Sequence, residues 1–350
     1  MLNLYGNSDE ERARDALCRV RFSEGQVDAV SIRIVPGPRR LVSTYSSTAA
    51  TMVIGYTLNQ SYHQWFDYTD YLARVLNDEY LFGNLEQRVK FIHVTPPWML
   101  EFITRQLQAR SIDPKEFGIE AIAVSGGFVT TRTRSTIVDE WNAEYLSTYS
   151  CGEIRFGEAR DDASRPGCYR LGPTMYAEIL DPDCYRPVGP GEAGTMVLTS
   201  LYPFQQVMPL IRYDTGDLVQ RVEEIGWDGL PPIDRFVVIG RKQHCVRISD
   251  RHFVGPGDVL SAVADVPEVP QFPYPRFHLE VRERPVVTVH LKIEIVEASP
   301  ARQVAISERI AAVLKKIVAN RDPALSGLEA TCQLLTKGEL SDYCRLYPDR

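Results

Sequence analysis

Between residues 27 and 57 apolar positions come in short alternating or continuous runs: VDAVSIRIV, a PGP turn, LVSTYSS, then TMVIGYT. That pattern predicts strands. From Leu58 the spacing lengthens, placing Leu58, Tyr62, Trp65, Leu72 and Leu76 on roughly one face, which predicts helix. FIHVTP reads as a strand stopped by Pro96 and Pro97, and Met99, Phe102, Ile103 and Leu107 then fall at helical spacing through MLEFITRQLQAR. EAIAVSGG is a buried strand ending in a glycine pair. STIVDEWNAEYL follows as a helix with Ile137, Val138, Trp141 and Tyr145 inward. Strands alternating with helices predict a largely parallel sheet in an α/β first domain.

Past about residue 155 the texture changes to short strands between Gly/Pro turns: MYAEILDP, GPGEAGTMVLTSL, PLIRYDTGDLVQRV and RFVVIGRK. This predicts a smaller β-rich subdomain. After the Gly240–Arg241 turn the pattern gives a helix near PGDVLSAVA and strands in RFHLEVRE and VVTVHLKIEIVE. A long helix from Pro300 to Asn320 follows, with Val304, Ile310, Val313, Leu314 and Ile317 inward, and LEATCQLLT is a last strand. That is an α+β unit of roughly 110 residues, a common size for an independent domain. The domains expected are therefore 1–239, a hinge at 240–242, and 243–350.

With 350 residues, 44% of them hydrophobic, the chain can bury a large core. The net charge of -7 and the absence of any long Lys/Arg run argue against a general nucleic-acid binder. No apolar run reaches the roughly 18 residues of a membrane span. The start, MLNLYGNSDEERARDA, turns polar too soon for a secretory or transit leader. Seven scattered cysteines without CxxC spacing suit reduced thiols rather than a disulfide framework or a zinc site. A soluble cytoplasmic protein is expected, with neither membrane nor nucleic acid as partner.

Several segments, in order, resemble the adenylate-forming superfamily of acyl-CoA synthetases, adenylation domains and luciferases, and most of all its phenylacetate–CoA ligases. The family's phosphate loop reads approximately SSGTTGKPTVVGYT, against TYSSTAATMVIGYT at 44–57. Its VTPSYML matches VTPPWML at 94–100, YGLTE matches YSCGE at 149–153, and VEIIDP matches AEILDP at 177–182. LPVIRYRTGDL matches MPLIRYDTGDL at 208–218, and GRSDDMLIIRG matches GRKQHCVRISD at 240–250. The RYDTGDL run and the order of the matches are the specific part. The resemblance is to a shortened member, with less chain before the loop and between GYT and VTPP. It implies the family's two-domain fold, with the C-terminal α+β domain as a mobile lid.

The resemblance also implies roles. Asp217 would accept the ribose hydroxyls in charge-assisted hydrogen bonds, and Arg241 would reach the ribose and phosphate side. Gly126 and Gly127, at a strand end where α/β sheets bind ligands, would let backbone approach the adenine edge. Tyr149 would pack on the adenine face, with ordinary core packing as the competing reading. Ser46, Ser47 and Thr48 would offer hydroxyls to phosphate. Glu153 would act as the catalytic carboxylate that holds a transient Mg²⁺. ATP or AMP, Mg²⁺ and CoA are the cofactors implied, and no structural zinc. A small carboxylic acid, aromatic if Trp98, Phe128 and Phe156 line its pocket, is the implied substrate. A homodimer or a partner enzyme is compatible with it.

The family's glycines, however, fall here on Ser46 and Ala49, and its loop lysine on Ala50. A non-glycine residue forced left-handed costs roughly 1–2 kcal/mol, so another loop shape is expected. The C-terminal lysine falls on Asp342, with Lys337 five residues earlier. At the hinge, Gln243, His244 and Asp250 replace the residues usual in the family. An acid-activating ligase is therefore the first reading. An ATP-independent acyltransferase, with Cys151 or Cys344 as candidate carriers, and a non-catalytic nucleotide- or partner-binding protein are the alternatives.

Overall fold

A computed structural model describes residues 30–36, 42–46, 49–56, 69–82, 85–151, 153, 158–162, 165–171, 175–202, 209–225, 233–271, 274–282 and 287–344. The chain divides into two compact units, 1–127 with 133–147, and 128–132 with 148–350.

The first unit holds strands β1 (Val30–Pro36), β2 (Val42–Ser46) and β3 (Ala49–Tyr56), helix α1 (Thr69–Asn77) and a small hairpin, β4 (Tyr80–Phe82) and β5 (Leu85–Gln87). Then come β6 (Val89–Val94), α2 (Trp98–Ala109), β7 (Ala121–Ser125), α3 (Thr131–Ser135) with a π-turn at Thr136–Glu140, and β8 (Glu144–Ser150). The chain leaves this unit after β7 for residues 128–132, returns within α3, and leaves finally within β8. Strands β3, β1, β6 and β7 are parallel neighbours, and β2 pairs antiparallel with β3. Ile92, Val94, Ile122 and Val124 are buried, as a parallel sheet covered on both faces requires. Met99, Leu100, Ile103 and Leu107 form the buried stripe of α2, where Phe102 is only partly covered. Trp141, buried with them, donates from Nε1 to Thr104 Oγ1 at 2.8 Å.

The helix expected through STIVDEWNAEYL begins earlier, at Thr131, and stops at Glu140. Asn142 adopts φ +52, a left-handed state that asparagine tolerates better than most residues and that ends a helix. Ile137 and Trp141 are buried as expected, but Val138 is 46% exposed and Tyr145 lies on β8. Of the helix expected from Leu58, residues 69–77 are described and helical, and its first part lies outside the described residues.

The second unit begins with an antiparallel sheet of β9 (Glu158–Asp162), β10 (Arg165–Leu171), β11 (Met175–Leu180), β12 (Ala193–Ser200), β13 (Tyr213–Ile225) and β14 (Ile233–Arg241), ordered β11-β12-β13-β14-β10-β9. The last residues of β8 pair with β9, Tyr149 opposite Ala159. Tyr169, Met196, Leu198, Val219 and Phe236 form its core. After Arg241 come a 3-10 turn (Lys242–His244), the hairpin β15 (Val246–Ser249) and β16 (His252–Val254), α4 (Pro256–Val263), β17 (Phe277–Arg282), β18 (Thr288–Ile295), α5 (Pro300–Arg321) and β19 (Glu329–Thr336). These strands form sheets of their own, β17 antiparallel to β18 and β18 parallel to β19.

Ile306, Ile310, Leu314 and Val318 are the buried stripe of α5, at a spacing of four. Val304, expected inward, is 59% exposed, because two residues from Ile306 is most of half a turn. Arg321 ends α5 in a buried pair with Asp258, Nε to Oδ1 at 2.8 Å, and Asp258 also accepts from the amide of Gly255. A Cβ on Gly255 would sit 2.5 Å from the carbonyl oxygen of Ile239, so α4 starts against the backbone of β14. Three cations just after β14 reach back to 181–192: Lys242 donates to the carbonyl of Pro182 at 2.7 Å, Arg247 pairs with Asp183 at 2.6 Å, and Arg251 pairs with Glu192.

Candidate functional site

The RYDTGDL run lies at the start of β13, beside the end of β14, and Asp217 is registered against Arg241. Thr215 ties the turn down: its hydroxyl donates to the carbonyl of Met196 at 2.9 Å and accepts from the amide of Asp217 at 3.1 Å. Asp214 has a separate set of donors. It accepts from Thr195 Oγ1 at 2.6 Å, Tyr185 Oη at 2.7 Å and the amide of Gly216 at 2.9 Å.

Asp217 is the centre of the cluster, with a side chain only 17% exposed. Its Oδ2 accepts from Tyr149 Oη at 2.8 Å and its Oδ1 lies 3.1 Å from Arg241 Nε. Burial pushes its carboxyl above the usual carboxylate range, while Arg241 and the Tyr149 hydroxyl pull it back. A carboxylate has about four acceptor sites, so two contacts leave room for further donors. Arg241 also donates from Nη1 to the carbonyl of Thr215, and its side chain remains 58% exposed.

The Tyr149 ring packs edge-on to Phe236, centroids 5.2 Å apart, and 6.3 Å from Tyr169. Burial raises its hydroxyl well above the ordinary value, reinforced by the charge of Asp217. The core-packing reading of Tyr149 thus describes these contacts. Glu153 is exposed, and Cys151 Sγ donates to its Oε2 at 3.0 Å. That hydrogen bond is the largest cause holding the Glu153 carboxyl below its ordinary range, with Tyr213 and Arg241 adding to it. An exposed, ionised carboxylate is what Mg²⁺ needs when phosphate oxygens and water supply its other ligands. Among the described residues no group of three or more His, Cys, Asp or Glu could hold a metal by itself.

Tyr149, Glu153, Asp217 and Arg241 are thus one cluster in the second unit. Gly126 and Gly127 follow β7 in the first. Gly126 has φ +69, and a Cβ there would sit 2.7 Å from Thr95 Cγ2, so glycine is required twice over. Ser46 ends β2 opposite Ala49, which opens β3. Ser47 and Thr48 lie outside the described residues. Of the expected phosphate loop, Ser46, Ala49 and Ala50 are extended, in the paired ends of β2 and β3. Phe156 lies outside the described residues; Trp98 opens α2 and Phe128 lies over Gly257.

Asp342 is 88% exposed, its Oδ2 3.7 Å from His278 Nδ1. Cys344 is buried and its thiol is pushed up to about 12 by that burial, which marks packing rather than chemistry. Sequence reasoning passed over His93 and Thr95, at the end of β6, whose side chains both contact Ser125: His93 Nε2 and Thr95 Oγ1 each lie 2.9 Å from Ser125 Oγ. The signal available was positional, since both precede a strand-stopping proline pair.

The described residues contain no helix long and apolar enough to cross a membrane. No family model matches the chain. By structure it is similar to a 2-hydroxyisobutyryl-CoA ligase in the postadenylation state with 2-HIB-AMP, TM-score 0.58 and 16% identity over 96% of this chain and 68% of that one. ATP-bound MatB from Rhodopseudomonas palustris gives 0.55 at 15% identity, covering 92% and 59%. A benzoate CoA ligase from Burkholderia xenovorans gives 0.52 at 13%, covering 92% and 62%. The fold is the α/β fold of the adenylate-forming enzymes, and the resemblance drawn from the motifs holds. By sequence the chain is similar to the phenylacetate-coenzyme A ligase of Thermus thermophilus, 25% identical over 213 residues, which cover 60% of this chain and 46% of that protein. The match thus spans about half the length of that relative.

Proposed function

We propose that the protein activates a small carboxylic acid: acid and ATP give an acyl-adenylate, and the acyl group then passes to CoA or an amine. The observation that carries this reading is the Tyr149–Asp217–Arg241–Glu153 cluster, built on the one heptapeptide most specific to the family. The sequence relative and two of the structural neighbours, CoA ligases by name, support an acid-activating ligase in general. Asp217, already oriented by Tyr149, would take the ribose hydroxyls on its remaining acceptor sites. Arg241 is exposed enough to swing toward a phosphate. Glu153 would hold Mg²⁺, which would supply positive charge to offset that of the phosphates as the acid attacks.

The residues fit the adenosine side better than the triphosphate side, where Ala50 stands for a lysine. AMP is therefore expected to bind more tightly than ATP. The segment 243–350 would act as a lid on a hinge at 240–242. ATP–pyrophosphate exchange over a panel of aryl and alkyl acids tests the reading. Exchange with at least one acid, lost in Asp217→Ala, is the expected result; background exchange across the panel in folded protein removes it. The position of Asp342 favours a second reading, acyl transfer without adenylation, since a carboxylate there repels the groups that a lysine would bridge.

A further inference from the structure

At the carboxyl ends of two adjacent parallel strands, β6 and β7, three side chains converge. His93 Nε2 lies 2.9 Å from Ser125 Oγ, and Thr95 Oγ1 lies 2.9 Å from the same oxygen. Strand register holds them there, with His93 opposite Ala123 and Val94 opposite Val124. Ser125 is the last residue of its strand, and the chain turns immediately after it through Gly126 at φ +69. Carboxyl ends of parallel strands are where α/β sheets present reactive groups. Ser125 is an ordinary extended residue with Ala123 two positions before it, so the site is not a strained nucleophile elbow, and what marks it is the side-chain contacts alone. Ser125 itself is buried, and the exposed Gly126 and Gly127 border it on the side from which a small acyl donor would come.

We propose that Ser125 and His93 form a nucleophile–base pair that takes acyl groups from thioesters or activated esters without ATP. In the proposed state Thr95 donates to Ser125 Oγ and His93 Nε2 is the unprotonated nitrogen; both 2.9 Å contacts are compatible with it, and the serine proton is then directed at Nε2, the arrangement of an activated hydroxyl. Ser125 Oγ attacks the carbonyl carbon as its proton passes to Nε2. The C–S bond of the thioester, or C–O bond of the ester, then breaks and the leaving group departs with that proton. Water or an amine attacks the acyl-serine in turn, giving its proton to His93, which returns it to Ser125. The amide of Gly126, next after the nucleophile, would be the donor to the oxyanion.

The sulfurs serve this chemistry less well. Cys344 is buried with its thiol pushed up to about 12, and Cys151 gives its proton in a hydrogen bond to the carboxylate of Glu153, whose charge opposes a thiolate. The pair lies wholly in the first unit and does not depend on the adenylation reading.

The test uses the full chain without ATP or Mg²⁺. Diisopropyl fluorophosphate, which needs no acyl specificity, is added in excess and the intact mass and peptides are read. p-Nitrophenyl acetate and phenylacetyl-CoA serve as acyl donors. The expected result is one phosphoryl group on the peptide holding Ser125. Ser125→Ala should abolish it with an unchanged circular dichroism spectrum. His93→Gln should slow labelling by about 10²-fold or more. Thr95→Val, which keeps the shape, should slow it less than His93→Gln. No label on Ser125 of folded wild-type protein, label on another residue instead, or His93→Gln labelling at the wild-type rate would each overturn the proposal. Labelled Ser125 alongside absent pyrophosphate exchange would leave this site standing and remove the ligase reading alone.

Discussion

Asp217 shows how one side chain can be read from the sequence in its role and not in its partners. The RYDTGDL run marks it as an acceptor for hydroxyls, and in the structure two donors already occupy it, Tyr149 and Arg241. Neither contact is local in sequence: Tyr149 lies 68 residues away, and the strand register that brings Arg241 opposite is a property of β13 and β14 together. Burial raises the folded-state carboxyl above its unfolded value, so folding favours the protonated acid. This share of stability is full below the unfolded carboxyl pKa and is lost as pH rises through the folded one. Asp217→Asn keeps an oxygen for Tyr149 and cannot titrate. Urea melts across the mildly acidic range should therefore show a flatter pH dependence than wild type, and Arg241, being mostly exposed, should tolerate the lost charge. An unchanged slope would mean that Asp217 titrates normally.

The elements divide by how much each depends on partners. Strands such as MYAEILDP and VVTVHLKIEIVE, and the helix α5, are legible because their apolar period alone selects them. The helix expected through STIVDEWNAEYL was misplaced because Ile137, Trp141 and Tyr145 keep a spacing of four across a break at Asn142 that hydrophobicity does not register. The departure at the phosphate loop is legible in the sequence alone, since a serine and an alanine, Ser46 and Ala49, stand where the resembled motif has glycines. The Ser125 cluster is not, because His93 and Ser125 meet only through sheet register. On α5, period alone put Val304 inward, and the stripe through Ile310 put it outside. Val304→Asp should change stability by no more than about 0.5 kcal/mol, as exposed positions do. Ile310→Asp buries a charge in the core and should cost several-fold more, of the order of 4 kcal/mol or above. Denaturant melts of the two variants check this, and equal losses would contradict the facing.

At the scale of the molecule, what matters is how the chain after Arg241 is held. The 3-10 turn at Lys242–His244 is followed by Arg247 and Arg251, whose partners, Asp183 and Glu192, lie in turns beside β11 and β12. Exposed pairs of this kind contribute about 0–1 kcal/mol each. They bias a conformation without fixing it, which suits a segment proposed to swing. The double change Arg247→Ala, Arg251→Ala should speed tryptic cleavage after Arg241 and Lys242 by a few-fold, roughly what about 1 kcal/mol implies. Cleavage at the wild-type rate would argue that the pairs carry no part of the restraint.

Gly255 sets a different kind of limit. A methyl group there would lie 2.5 Å from the Ile239 carbonyl and 2.9 Å from Cys245 Sγ, both in a region without slack. No side chain fits, however small, and no single change nearby can make room, because one obstacle is main chain. At 46 and 49, by contrast, serine and alanine stand where the adenylate-forming enzymes that the motif resembles carry glycine. One site thus admits a side chain and the other does not. In a pooled library of single substitutions selected only for folded, soluble protein, Gly255 should be emptied of every replacement, alanine included, while Ser46 and Ala49 keep most of theirs. Survival of Gly255→Ala at the frequency of Ala49→Ser would show that the backbone there yields.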